Sequence, residues 1–163
     1  MHLNFRKATE ADIPVIAALA HKIWHEHYPS IITVEQIDFM LGDRYSKEAI
    51  IEGMQHDEQY FLAYAGDEPV ALADIQKREK DYYLHKFYVD VSKHRGGIGT
   101  AFFNYLLQQM DAKLPIRLQV NRQNFKAVNF YFRSGFVIES VGDFDIGGGY
   151  FMNDFIMVRK PVV

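Results

Sequence analysis

Hydrophobic and polar positions change rhythm several times along the chain, and each change marks a predicted element. In "LNFRKAT", Leu3 and Phe5 alternate with polar neighbours at the period of a strand, while Thr9 and Asp12 have the spacing of a capping box opening a helix near residue 11. That helix sets Ile13, Ile16, Ala17, Ala20 and Trp24 along one side. It is predicted to stop at Tyr28-Pro29, because a residue before proline is pushed out of the helical region. Thr33 with Gln36 marks a second helix, and Ser46 marks the start of a third. Then the period falls to two. "QYFLAYAGDEPVALADIQ" reads as two strands around a Gly66-Asp67 turn, and "DYYLHKFYVDV" reads as a third, giving an antiparallel meander. A helix to about Asp111, the strand "PIRLQV", a helix from about Phe125 to Ser134 and the strands "FVIESVGDFDI" and "YFMNDFIMVRK" complete the order. No repeat, linker or low-complexity segment interrupts it, so residues 1–163 read as one α/β domain.

The stretch "HRGGIGTAFFNYLLQ" combines bare backbone with a helix. Ile98, Ala101, Phe102, Tyr105, Leu106 and Met110 follow the i, i+3, i+4 rhythm, so one face packs on the sheet. Gly96, Gly97 and Gly99 stand at its start, where successive N–H groups can turn toward one point at the positive end of the helix. Such a nest takes a phosphate or pyrophosphate; the same glycines also suit a plain tight turn. A phosphate-binding loop of the nucleotide hydrolases requires Lys followed by Ser or Thr, and Thr100-Ala101 stands there instead. The dinucleotide fingerprint fails at Phe102, where a small residue is required.

Composition narrows the remaining classes. Apolar residues form 48% of the chain and charged residues 24%, the usage of a globular protein. A net charge of −3 supplies no cationic field for nucleic acid or anionic lipid and slightly favours a cationic partner. The sequence has no cysteine, so disulfides, thiolate metal sites and a cysteine nucleophile are excluded. No apolar run suffices to span a bilayer, and the beginning "MHLNFRKATEAD" lacks the apolar core of a signal peptide. A cytoplasmic location is therefore expected, with neither nucleic acid nor membrane as partner.

Two ordered motifs then carry a resemblance. His94-Arg95-Gly96-Gly97-Ile98-Gly99 is similar to the signature Gln/Arg-x-x-Gly-x-Gly/Ala of the GCN5-related N-acetyltransferases, departing from it at its first position. Downstream, "NFKAVNFYFRSGF" matches Asn-x-x-Ala-x-x-x-Tyr-x-x-x-Gly-Phe through Asn124, Ala127, Tyr131, Gly135 and Phe136. The order of strands and helices resembles that family over nearly the whole chain. Within it, "YPSIITVEQIDFML" and "YFMNDFIMVRKP" look like the spermidine/spermine acetyltransferase type.

The resemblance implies a mixed, mostly antiparallel sheet with helices on both faces, in which the strand "HKFYV" splays from "PIRLQV" and the coenzyme of acetyl-CoA enters the gap. The pantetheine arm would pair with the backbone of Phe87, Tyr88 and Val89 as an added strand does. The pyrophosphate would meet His94, Arg95, Gly96, Gly97, Ile98, Gly99 and Thr100, and Asn124 would bond the pantetheine. A backbone N–H on the same strand would polarise the thioester carbonyl. Tyr131 falls where the family keeps a phenol beside the departing sulfur, although Phe130, Tyr131 and Phe132 also read as an aromatic packing run.

An amine near its reference pKa of about 10.4 is mostly ammonium at neutral pH and needs a proton acceptor. Many relatives keep a glutamate on the fourth strand, and Tyr83 and His85 occupy the corresponding positions here. Serotonin N-acetyltransferases are similar in carrying histidine at that position, so His85 is the candidate base; a lone strand histidine also suits a structural role. Trp24, Glu26 and Tyr28 fall where the family borders its acceptor pocket. His21 and His25 are four apart and can share a helix face, but no third ligand is evident and no metal is expected. "KREKD" and "IGGG" read as hairpin connections. The expected acceptor is a small-molecule primary amine, a polyamine first, with peptide amines, aminoglycosides and arylalkylamines open. A non-catalytic acyl-CoA sensor is the reading from another class, and a homodimer is left open.

Overall fold

The computed structural model describes residues 2–162, and at Val91, His94 and Arg95 the backbone only. Its elements are β1 (Leu3–Lys7), α1 (Ile13–His27), α2 (Val34–Arg44), α3 (Lys47–Gln55), β2 (Glu58–Ala65), β3 (Glu68–Lys77), β4 (Tyr82–Val89), α4 (Ile98–Gln108), β5 (Ile116–Asn121), α5 (Phe125–Arg133), β6 (Val137–Gly147) and β7 (Tyr150–Arg159). Local chemistry sets their ends. Thr33 Oγ1 accepts from the Gln36 N–H at 3.2 Å and Ser46 Oγ from that of Ala49 at 3.1 Å, which caps α2 and α3 as their sequence spacing predicts. Ahead of Pro29, α1 gives way at His27 to a 3-10 turn over Tyr28–Ser30. The β2–β3 turn uses Gly66 at φ +62°, and Gly147 at the end of β6 has positive φ together with Gly148 and Gly149 of the following turn.

One seven-stranded sheet runs in the order β1-β2-β3-β4-β5-β7-β6. Every pair is antiparallel except β4–β5, whose parallel sense requires the crossover supplied by α4. Strand alternation divides the apolar side chains between two cores. On one face Leu62 and Leu72 bury against Ile16, Ala20, Ile37 and Ile50 of α1–α3. On the other, Ala63, Ala73 and Leu118 bury against Ile98, Phe102 and Leu106 of α4. Burying each such large side chain contributes about 1.5–3 kcal/mol, so both faces hold the sheet in place.

The charged segment after β3 is more than a turn. Asp81 is buried and accepts from Arg78 at 2.5 and 2.6 Å and from Arg117 of β5 at 3.0 Å. Arg117 in turn pairs with Glu139 of β6 at 2.8 Å. This network clamps β4 to β5 at the point where they are still joined.

Candidate active site

The site begins where the sheet comes apart. β4 and β5 pair only at Tyr82–Ile116 and Tyr83–Arg117. Beyond that, β4 continues against β3 as far as Val89, while β5 continues against β7 as far as Asn121. The inner backbone edges of both strands are thus left facing a gap, which opens into a cavity of about 540 Å³. Its wall includes β4 from Tyr83 to Val89, Trp24 and Tyr28 at the end of α1, Arg44 of α2, and Tyr131 of α5.

A bulge shapes the β4 wall. Ile75 pairs with Leu84 and Asp74 with Lys86, so His85 is the extra residue. Side chains of neighbouring strand residues normally point to opposite faces, but here His85 and Lys86 reach partners on one face. His85 Nε2 lies 2.9 Å from Gln76 Oε1 and 3.6 Å from Glu58 Oε1. Lys86 Nζ donates to Tyr60 Oη at 2.9 Å and to Asp74 Oδ2 at 3.1 Å. Glu58 and Tyr60 share a face of β2, and Asp74 and Gln76 share a face of β3. The rings of Tyr83 and His85 are 4.7 Å apart, so these two also stand together.

Electrostatics differ sharply over this small region. Loss of water, only partly offset by Glu58, pushes the His85 imidazole down to about 4, so the ring is neutral through the physiological range. Burial pushes Asp74 up to about 7 against the pull of Lys86. Asp154 of β7 is fully buried, both its oxygens lack a partner among the described residues, and desolvation raises it to about 6. It is near enough to raise the phenols of Tyr28 and Tyr83, secondary to their own burial.

At the opposite end, Gly97 has φ +68° and stands as N-cap of α4, a left-handed geometry that favours glycine. A Cβ on Gly99 would come within 3.4 Å of the Phe130 ring and 3.7 Å of Val89, so this glycine lets α4 approach β4 and α5. Gly97, Gly99 and Thr100 border the cavity. Phe87 turns its ring into the core, stacked on Phe130 at 5.4 Å and Phe102 at 5.7 Å, which leaves its backbone to face the gap. Asn124 caps α5 by accepting from the Ala127 N–H at 3.3 Å, meets His27 Nε2 at 3.2 Å, and donates to Tyr28 Oη at 3.3 Å. Tyr131 is packed by Phe130 and Phe136, and its hydroxyl makes no hydrogen bond among the described residues. Burial raises its phenol well above the ordinary value.

These residues fit an extended amide chain ending in a pyrophosphate: a strand edge that β5 does not cover, a glycine-led helix start and a cavity between them. The family description "Acetyltransferase (GNAT) domain" matches residues 31–143, more than half of the chain. The chain belongs to the GNAT family. It is an N-acetyltransferase whose donor is acetyl-CoA. Among its GNAT relatives, a spermidine N(1)-acetyltransferase of Thermoplasma acidophilum is 25% identical over 98% of both chains. The crystal structure of the PaiA N-acetyltransferase of T. acidophilum in complex with coenzyme A superposes with TM-score 0.83 at 25% identity, over 98% of this chain and 99% of that one. The ribosomal-protein-S18-alanine N-acetyltransferase of Escherichia coli shares the fold, with TM-score 0.75 at 16% identity over 99% and 96% of the two chains.

Against this GNAT frame the residues singled out in the sequence divide. Trp24, Tyr28, Tyr83, His85, Phe87, Tyr88, Val89, Asn124 and Tyr131 all line one cavity with Gly97, Gly99 and Thr100. Glu26 does not; it is exposed on the outer side of α1. Ile98 is fully buried in the core, and Gly96 stands in the preceding 3-10 turn. The side chains of His94 and Arg95 lie outside the described residues. The His21 and His25 rings lie 4.1 Å apart, tilted to one another, with His25 Nε2 on Asp38, and among the described residues no group of three His, Asp or Glu is gathered to hold a metal. Sequence reasoning missed Glu58, Asp74, Gln76, Lys86 and Asp154. A signal existed for two of them: Asp74 interrupts the otherwise apolar "VALADI", and Asp154 directly precedes the apolar run "FIMV".

Proposed function

We propose that the enzyme acetylates a small primary amine by direct attack on the thioester, with a polyamine as the favoured acceptor class. The observation that carries this reading is the opening of the sheet after Tyr83, because Tyr131, His85 and the edge of β4 that turns away from β5 border a single cavity. In this reading, backbone groups of Phe87–Val89 hold the donor's amide arm, and N–H groups from Gly96 to Thr100 receive its pyrophosphate at the start of α4. Asn124 gives one Nδ2 hydrogen to Tyr28 and keeps the other for the amide arm. A β4 N–H facing the gap stabilises the negative charge that develops on the carbonyl oxygen.

Magnitudes assign the proton steps. An imidazole near 4 cannot strip an ammonium of pKa about 10.4, since the gap corresponds to roughly 9 kcal/mol. The amine therefore arrives neutral, and His85 takes the proton that becomes acidic as the N–C bond forms. Tyr131, its phenol raised by burial, donates a hydrogen bond to the departing sulfur rather than the proton itself.

Two things support the acceptor class. A spermidine acetyltransferase is among the relatives, and Asp154 adds a buried negative charge behind Tyr28 and Tyr83, while Asp74 offsets Lys86. Arg44 opposes them from the end of α2. Thiol release from acetyl-CoA across polyamines, arylalkylamines, aminoglycosides and peptides tests the reading. Turnover highest with polyamines is expected. Turnover confined to peptide amines would overturn the acceptor class, and coenzyme A binding with no turnover on any amine would overturn catalysis in favour of a sensor.

A further inference from the structure

The hydrogen bonds behind His85 determine which of its nitrogens can accept a proton. At the end of α3 the carbonyl of His56 lies past the last helical bond and needs a donor, and Gln76 Nε2 supplies it at 2.8 Å. That bond fixes the orientation of the Gln76 amide: its nitrogen faces His56, so its oxygen faces His85. Gln76 Oε1 stands 2.9 Å from His85 Nε2 and can only accept. Nε2 must therefore carry the hydrogen. His85 Nδ1, which has no partner among the described residues, is left with the ring's lone pair.

The same helix end positions a carboxylate. Glu58 Oε1 is 3.6 Å from His85 Nε2, and a Cβ on Gly53 would lie 2.0 Å from Glu58 Oε2, so the carboxylate in this position occupies space that α3 leaves open at Gly53. The other charges acting on the ring are Lys86 beside it, Arg78 from the β3–β4 turn and Arg44 from α2, all of which oppose an imidazolium. Glu58 alone among them favours it.

We propose that Gln76, oriented by the His56 carbonyl, holds His85 as its Nε2–H tautomer so that Nδ1 accepts the acceptor's proton, and that Glu58 supports the imidazolium then formed. This rests on the reading of His85 as the proton acceptor. The step balances: as the N–C bond forms and the amine N–H bond breaks, the proton joins Nδ1, the C–S bond gives its electron pair to the sulfur, and coenzyme A leaves as a thiolate hydrogen-bonded by Tyr131. The positive charge this leaves on the ring matches the negative charge on the thiolate, and the Nε2–H points at Gln76 and Glu58. Gln76 is a positioning residue in this arrangement, acting through His85.

Two opposed substitutions test it. Gln76→Glu keeps an acceptor opposite Nε2, whereas Gln76→Lys offers only donors and demands a lone pair there. Long-range ¹H–¹⁵N spectra of histidine-labelled enzyme, with the His85 signals assigned by their loss in His85→Gln, read the tautomer directly. The expected wild-type signature is a pyrrole-type Nε2 and a pyridine-type Nδ1, retained in Gln76→Glu and inverted in Gln76→Lys. With coenzyme A affinity unchanged as the control for folding, kcat/KM should fall on the order of 10²-fold in Gln76→Lys, and far less in Gln76→Glu. An Nδ1–H tautomer in the wild type, or an unaltered tautomer and rate in Gln76→Lys, would overturn the proposal. An Nε2–H ring in an enzyme whose turnover survives His85→Ala would instead overturn the proton-accepting role on which it rests, so the two failures are read by separate measurements.

Discussion

Tyr131 and His85 show how one cavity can alter two ionisable side chains in ways that limit their chemistry. A free phenol near 10 is already a weak acid, and burial among Phe87, Phe130 and Phe136 weakens it further. Tyr131→Phe is therefore expected to lower kcat by about 10- to 100-fold, the modest end of general-acid effects, with coenzyme A affinity unchanged. Steady-state kinetics beside calorimetry checks this, and a kcat within about twofold of wild type would return Tyr131 to packing alone. For His85 as the base, an unperturbed imidazole would put a bend in the pH–rate profile at about 6.5. Desolvation moves the group to about 4, so His85 should put no bend of its own into log kcat/KM between roughly pH 5.5 and 7.5, where the profile follows the neutral amine fraction and the ionisation of Asp154 at about 6. His85→Ala should lie below wild type across that whole interval. A wild-type bend near 6.5 that vanishes in His85→Ala would mean that the ring is better hydrated than its surroundings here imply.

At the scale of elements, most of the fold was legible because its signals are local. Capping at Thr33 and Ser46, the stop before Pro29 and the Gly66 turn each follow from a few neighbouring residues, and the structure has them all. The β4 bulge was not legible. It depends on how β3 and β4 register over ten residues, and strict alternation would send His85 and Lys86 to opposite faces. Gln76, Glu58 and the His56 carbonyl were hidden for the same reason: they meet His85 through pairing between strands and the docking of α3, not through sequence spacing. "KREKD" read as no more than a hairpin connection because one partner of the buried Asp81, Arg117, stands far along the chain. The glycine-led start of α4 was legible as a helix start, and Gly97 is where it is most exacting. Gly97→Val must force a β-branched residue to φ +68°, a strain on the order of 1–3 kcal/mol, or else rebuild the α4 N-terminus. Calorimetry should then find coenzyme A binding weakened at least tenfold while far-ultraviolet dichroism stays native. Unchanged affinity would separate the glycines from the anion.

Over the whole molecule, buried ionisable groups give stability an unusual pH dependence. Asp154 and Asp74 are raised to about 6 and about 7, so each binds its proton more tightly when folded. The stability from such a carboxyl is fully present below its unfolded value near 3.8 and is lost as pH rises through the folded value. His85, lowered to about 4, acts in the opposite sense and loses stability as pH falls from its unfolded value of about 6.5. Asp12, lowered to about 2 by Arg6, resists acid further down. Between about pH 4 and 6 the two raised carboxyls outnumber the histidine, so the folded state binds more protons and stability should decline toward neutrality. Asp154 isolates the effect, because neither of its oxygens has a partner among the described residues. Asparagine there resembles the protonated acid, so Asp154→Asn should match wild type near pH 4 and exceed it near pH 7.5 by on the order of 2 kcal/mol. Urea midpoints at the two pH values measure the difference. An equal gain at both would mean that the charge is not the cause, and a loss near pH 7.5 would mean that the carboxylate is partnered. A charge that costs stability in the resting fold has its use where a cation is brought beside it. The same variant should therefore show a raised KM for a polyamine and an unchanged KM for acetyl-CoA, becoming a more stable enzyme that holds its amine less well.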